Sequence, residues 1–280
     1  TITEQPAADY LAAVQCIKDY IVEGDVFQVN LSRAWDLQLA ETVDAHTLYE
    51  NLCYHNPAPF SGLAHWQDAA IVSSSPERLV RVHNGLIETR PIAGTRPRSQ
   101  ELHQDAAYSA ELLAHPKERA EHVMLVDLGR NDVGKVAASG SVTVPRLMEI
   151  ERYSHVMHIV SHIEGILKPS KDCFDLFMSA FPAGTVSGAP KIRAMEIISE
   201  LEPCARGSYA GAVGYFGFNG NMDFCITIRT ITILKNRLSV QVGAGIVADS
   251  SPENEYEETL RKAGAMFKAI EKVKTNDSTN

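Results

Sequence analysis

The chain has 280 residues, 45% of them apolar, enough to bury one large core or two modest ones. A formal net charge of −9 with no basic stripe argues against a nucleic-acid surface, and no apolar run is long enough to span a bilayer. Cys16, Cys53, Cys173, Cys204 and Cys225 are scattered without a CxxC pair, which excludes a zinc site or disulfide frame and fits reduced thiols in the cytoplasm. The N-terminus lacks the basic and apolar regions of a signal peptide, so the class left is a soluble, acidic, cytoplasmic enzyme.

Residues 8–23 carry apolar side chains at helical spacing, closed by Gly24-Asp25. FQVNLSRAWDLQL then alternates as a strand does, followed by a helix near 46–54 and a Pro-rich turn, HNPAPF. AAIVSSSPERLVRVHNGLIETRPIAG reads as a strand, a turn and a hairpin through Asn84-Gly85. One acidic helix is predicted over 103–130, then strands around 141–145 and 155–164 and a helix near 172–180. The Gly-rich FPAGTVSGAPK leads into the helix IRAMEIISELEP. The last third is hairpin-like, with Asn219-Gly220 as its first turn. A second acidic helix follows, with a polar, frayed tail, KTNDSTN. Helices alternating with antiparallel hairpins predict an α+β domain with helices covering sheets.

The two acidic helices carry the first chemical signal. Glu255, Glu258 and Lys262 fall at i, i+3 and i+7, and Glu118 and Glu121 repeat the carboxylate pair upstream. Each stretch aims two carboxylates the same way. Two such helices facing each other would form a hard-cation cage, with Mg²⁺ the expected ion. The plain alternative for either stretch alone is a solvated helix face laced by i,i+4 ion pairs.

The motifs RPIAGTRPR, KERAEHVMLVDLGRND, RYSHVMHIVS, FPAGTVSGAPKIRAMEII, GNMDFCITIRT and GAGIVADSSPENEYEET occur in that order. Together they resemble the chorismate-utilising enzyme family, which includes component I of anthranilate synthase, component I of aminodeoxychorismate synthase, isochorismate synthase and salicylate synthase. The resemblance covers about residues 8–270. It implies a single chorismate-binding catalytic domain over 1–280, built as two orthogonally packed antiparallel β-sheets with helices outside. Aminating members usually carry a further N-terminal segment. The early first helix is compatible with a truncated longer protein.

Carried over residue by residue, the resemblance implies that Glu121 and Glu258 ligate Mg²⁺, with Glu118 and Glu255 beside them. The physics agrees, because chorismate is a dicarboxylate and two bare anions do not approach an acidic cluster without a cation between them. For the other carboxylate, Arg229 offers a planar fork, Tyr215 an O–H, and a Gly243-Ala244-Gly245 turn its backbone N–H groups. Lys262 adds positive charge near the metal end, and Thr95 and Thr185 are ring-edge contacts. Taken singly, Arg229 also reads as a surface ion pair and Tyr215 as a strand residue.

The implied reaction brings a nucleophile in at C2, shifts the double bonds and expels the C4 hydroxyl. Glu77, in SSSPERLV, matches the general acid, which must be held protonated to work near neutral pH. Gln28 stands where water-adding members carry a lysine base. Glutamine takes up no proton, so ammonia, which attacks with its own lone pair, is the expected nucleophile. His158 matches the histidine linked to pyruvate elimination, although both aminating branches have one; a core histidine is the bland reading. Ala93, RYSHVMH and PAGTVSGAPK lean towards the anthranilate type, whereas HNPAPFSG, Asn30 and Ser99 lean towards aminodeoxychorismate. The balance narrowly favours aminodeoxychorismate synthase component I, with anthranilate synthase component I as the alternative. Isochorismate synthase and a non-catalytic chorismate-binding fragment rank below both. Either aminating enzyme needs ammonia from a glutamine amidotransferase subunit, and nothing in the chain resembles that glutaminase.

Overall fold

A computed structural model describes residues 1–153 and 156–276. Ser154 and His155 of RYSHVMHIVS, and residues 277–280 of the polar tail, lie outside the described residues. The first half of the chain forms β1 (Ile2–Glu4), α1 (Ala7–Glu23), β2 (Gln28–Gln38), α2 (Ala45–His55), β3 (Phe60–Trp66), β4 (Ala69–Ser75), β5 (Arg78–His83), β6 (Leu86–Thr89), β7 (Ile92–Pro97), α3 (Leu102–Ala114) and α4 (Pro116–Gly134). The second half adds β8 (Thr143–Arg152), β9 (Val156–Ile166), α5 (Cys173–Ala180), β10 (Gly188–Ala189), α6 (Lys191–Leu201), β11 (Ala212–Phe216), β12 (Met222–Ile226), β13 (Thr230–Leu234), β14 (Arg237–Ile246) and α7 (Pro252–Asn276). The chain divides into two compact units, one of residues 1–77, 186–213 and 225–280, the other of 78–185 and 214–224. Each holds an antiparallel sheet with helices, the α+β class that the alternation of helices and hairpins predicts.

In the first unit the strand order is β1-β2-β14-β13-β4-β3, with β10 added to β2. Alternation sorts its residues by face. Val29, Leu31, Trp35 and Leu37 of β2, with Val72, Ile231, Val240, Val242 and Ala244, join two apolar clusters. One is closed by α2 and α7, the other by α1 and α6. The intervening positions, Gln28, Asn30, Ser32, Ser73, Ser75, Thr230, Gly243 and Gly245, therefore turn to the opposite face. That face is polar and yet largely buried, so its groups need partners.

In the second unit the order is β11-β12-β5-β6-β9-β7, with β8 on β9. The β5–β6 hairpin turns at Asn84 and Gly85, with φ of 51° and 79°, the positive values a two-residue type I′ turn requires. The single acidic helix predicted over 103–130 is two helices. His115 is extended (φ −70°, ψ 115°), as a residue before proline prefers, and Pro116 starts α4 where its missing N–H costs nothing. The His115 side chain accepts from the Glu118 N–H, so Glu118 sits in the first turn of α4, at the positive end of the helix dipole. The break thus aims the upstream carboxylate pair. All five cysteines are unbridged. Among the described residues, no helix is long and apolar enough to cross a membrane.

Candidate active site

The polar face of the first unit gathers most of its predicted residues. Arg229 follows β12 with φ of 52°, and its carbonyl accepts from the Ser74 N–H. Burial pushes the Arg229 guanidinium pKa down, while electrostatic interaction with Tyr209, Glu77 and Glu258 works in the opposite direction. These groups therefore share one electrostatic neighbourhood. Glu77 lies between β4 and β5, half-buried, and its carbonyl accepts from Ile226 N–H at 3.0 Å. Gln28 is buried at the start of β2, opposite Ala189 of β10. Gly188, with φ of 145°, allows this fit: a Cβ there would stand 2.1 Å from the Gln28 carbonyl oxygen. The glycine of SGAPK serves a close backbone approach.

Gly243-Ala244-Gly245 is not the predicted turn. These residues continue β14, opposite Ser32, Leu31 and Asn30 of β2. The β13–β14 ladder ends at Ile231 and Val240, so the far edge of β14 is released just before Gly243. There Lys262 Nζ donates to the Gly243 carbonyl at 3.0 Å, which shows that the backbone groups of Gly243 point away from β2. By alternation those of Gly245 point the same way, so the segment offers backbone donors after all, from a strand edge. A Cβ on Gly243 would lie 2.3 Å from Asn30 Oδ1 and 2.6 Å from the Tyr209 hydroxyl.

That contact identifies a residue that sequence reasoning missed. Tyr215, the predicted hydroxyl donor, lies on the edge strand β11 with 61% of its surface exposed. Tyr209 is within electrostatic reach of Arg229 and Glu77; it is buried, its hydroxyl donating to Asn30 Oδ1 at 3.1 Å. Burial pushes its pKa up to about 12, so it stays a neutral donor. The chain carries both tyrosines within RGSYAGAVGYF, and spacing alone does not choose between them.

In the second unit the β7–β9 register shifts between Ala93 and Arg96, a bulge that re-aims the PIAGT segment. His158 of β9 lies with Nδ1 2.8 Å from the Gly94 carbonyl and 3.1 Å from Thr95 Oγ1. Donation from Nδ1–H to that carbonyl fixes the tautomer and leaves Nε2 as the basic nitrogen. Gly94 (φ 66°) backs onto Glu118, whose Oε2 a Cβ would meet at 3.0 Å. Arg96 Nη1 lies 3.3 Å from Glu118 Oε1 and donates to the Thr95 carbonyl at 2.8 Å. Thr95, His158 and Glu118 are thus brought together. Thr185 sits in a 3₁₀ turn, Gly184–Val186, pressed on α4: a Cβ on Gly184 would lie 2.3 Å from Leu128 Cδ2. One position past Glu121, His122 is wholly buried and shares a 2.6 Å hydrogen bond with Ser161 Oγ. Burial pushes its pKa down to about 4, so it is neutral.

The carboxylate pairs depart from simple solvated faces. Thr259, Ala263, Met266, Ile270 and Val273 form the buried stripe of α7, and Glu255, only 6% exposed, occupies the next position of that stripe. Glu258 Oε1 lies 2.5 Å from Lys262 Nζ, the i,i+4 pair the plain alternative predicts. Glu118 and Glu121 are half-buried on α4. Among the described residues no three His, Cys, Asp or Glu side chains are grouped closely enough to form a metal cluster. The donor chemistry nevertheless fits Mg²⁺, which takes one or two carboxylates and keeps waters.

A family model described as chorismate binding enzyme matches residues 2–268. The chain belongs to the chorismate-binding enzyme family. It is 53% identical over 265 residues to anthranilate synthase component 1 of Acetivibrio thermocellus, spanning 95% of this chain and 53% of that protein. It is 52% identical over 264 residues to the component 1 of Thermus thermophilus, 94% of this chain and 56% of the relative. The crystal structure of anthranilate synthase component I from Streptococcus pneumoniae TIGR4 matches at TM-score 0.87 and 42% identity, covering 95% of this chain and 59% of that one. The menaquinone-specific isochorismate synthase of Escherichia coli matches at TM-score 0.86 and 26% identity, covering 96% and 62%. The chain therefore spans a little over half the length of these component 1 relatives.

Proposed function

We infer that this chain is the chorismate-converting part of an anthranilate synthase component I, producing anthranilate and pyruvate from chorismate and ammonia. The observation that carries this is the 53% identity, over nearly the whole chain, to a relative of that name. It reverses the narrow lean towards aminodeoxychorismate. The residues behind that lean have local explanations: Asn30 accepts from Tyr209, Ser99 caps the turn into α3 through Glu101 N–H, and Ser61 bonds Ala58 O and Ser74 Oγ.

Mg²⁺, held by carboxylates of the Glu118/Glu121 and Glu255/Glu258 pairs, would neutralise one carboxylate of chorismate. Arg229, Tyr209 and the Gly243–Gly245 edge bind the other through charge-assisted hydrogen bonds. Glu77 protonates the departing C4 hydroxyl. Gln28 has no basic atom to activate water, so ammonia bonds to C2 with its lone pair as the double bonds shift. His158 Nε2 then removes the C2 proton; the bond from the ring to the enolpyruvyl oxygen breaks, the ring becomes aromatic, and enolpyruvate leaves to become pyruvate. Ammonia comes from a glutamine amidotransferase subunit in this reading. Incubation with chorismate, Mg²⁺ and ammonium at alkaline pH tests it. Anthranilate with equimolar pyruvate supports it, and an aminated product that keeps its enolpyruvyl group returns the aminodeoxychorismate alternative.

A further inference from the structure

A buried ion pair that no step above uses touches the carboxylate-binding face at several points. Arg206 donates from Nε to Glu202 Oε2 at 2.8 Å and from Nη2 to Glu202 Oε1 at 2.6 Å, a two-pronged pair. The side chains are 17% and 4% exposed. Arg206 also donates to the Asn30 carbonyl at 2.7 Å and to the Val186 carbonyl at 2.6 Å. Glu202 Oε1 in turn accepts from the Ser32 backbone N–H at 2.8 Å and from its hydroxyl at 2.7 Å. The Arg206 guanidinium lies 5.4 Å from the centre of the Tyr209 ring.

Buried ion pairs contribute little net stability, so such a fully bonded one is better understood by the geometry it fixes. Here that geometry is the triangle of Asn30, Tyr209 and Gly243. Asn30 is gripped through its carbonyl while its Oδ1 accepts from Tyr209, and the Tyr209 ring rests against the same guanidinium. We propose that the Glu202–Arg206 pair is a positioning device for the substrate-carboxylate subsite. It fixes the Tyr209 hydroxyl beside Gly243 until a carboxylate takes its hydrogen. This rests on the reading of Tyr209 and Arg229 as that subsite.

The test is a double-mutant cycle in R206K, Y209F and the double variant, with steady-state kinetics on chorismate and ammonium. Thermal unfolding verifies folding, and direct chorismate binding is measured on every variant. Lysine keeps the charge of Arg206 but loses the fork. R206K and Y209F are each expected to raise KM for chorismate roughly fivefold, with kcat within about twofold. The double variant should be no worse than R206K, because both act through one hydroxyl. Effects that multiply, an unchanged KM in R206K, or a loss confined to kcat would overturn the proposal. Should R206K not fold, E202Q replaces it in the cycle: a raised KM supports the device and an unchanged one refutes it. Wild-type protein that binds chorismate but releases another product overturns the anthranilate reading alone, and wild-type protein that binds none overturns both.

Discussion

At Gly243 a single methyl group would meet Asn30 Oδ1, the Tyr209 hydroxyl and the Leu31 carbonyl, all within 3.0 Å. Gly243→Ala is therefore expected to cost about 1–3 kcal/mol of stability by overpacking, read by urea unfolding, and to raise KM by displacing Tyr209. An unchanged KM with lost stability would confine Gly243 to packing. Glu258→Gln keeps shape and removes the charge that a hard cation needs. Turnover should fall to background while the fold persists by circular dichroism; retained activity would reject the metal assignment. Part of this scale was legible: the motifs that carry Arg229 and His158 are long, and the structure sets Arg229 in the electrostatic reach of Tyr209 and Glu77, and His158 beside Thr95. Tyr209 was not, because its neighbour Tyr215 shares the same motif, and only burial against Gly243 separates them.

The helix breaks and strand edges decide how these residues are presented. α4 begins at Pro116, so Glu118 lies in a first turn instead of mid-helix, a difference the AHPKER segment contained in its proline. The Gly243–Gly245 strand edge was illegible, since whether a glycine pair bends or continues depends on where β13 ends. β1, β3 and the two-residue β10 were also missed; the first and last are too short to show alternation. The entry to α3 carries a pH dependence. Asp105 accepts from Arg98 Nε at 2.7 Å, from Ser99 N–H at 3.1 Å and from Arg152 Nε at 3.2 Å. These bonds, that to Arg98 foremost, hold its carboxyl down to about 2. A folded pKa below the unfolded value of roughly 3.9 means the stabilisation is complete above about pH 4 and lost as pH falls towards 2. Asp105→Asn should lower the midpoint of urea unfolding at pH 7 and flatten its decline across that window. An unaltered acid limb would show that the three-way bond is energetically silent.

Across the whole chain, composition and hairpin alternation already set the α+β class, because each sheet face sorts by a period of two. The division into two units was not legible, since residues 186–213 and 225–280 return to the first unit without any linker-like composition. The two aminating branches were harder to separate from sequence, because HNPAPFSG, Asn30 and Ser99 lean one way while Ala93, RYSHVMH and PAGTVSGAPK lean the other, and each is a short segment, whereas overall similarity draws on every position. Both units supply candidate residues, so the proposed reaction has to be read from its products. Purified protein supplied with chorismate, Mg²⁺ and ammonium, its products resolved by mass, tests this most directly. Anthranilate and pyruvate in equal amounts, abolished by chelating the metal, are predicted. Isochorismate, or an aminated ring that retains its enolpyruvyl group, would contradict it.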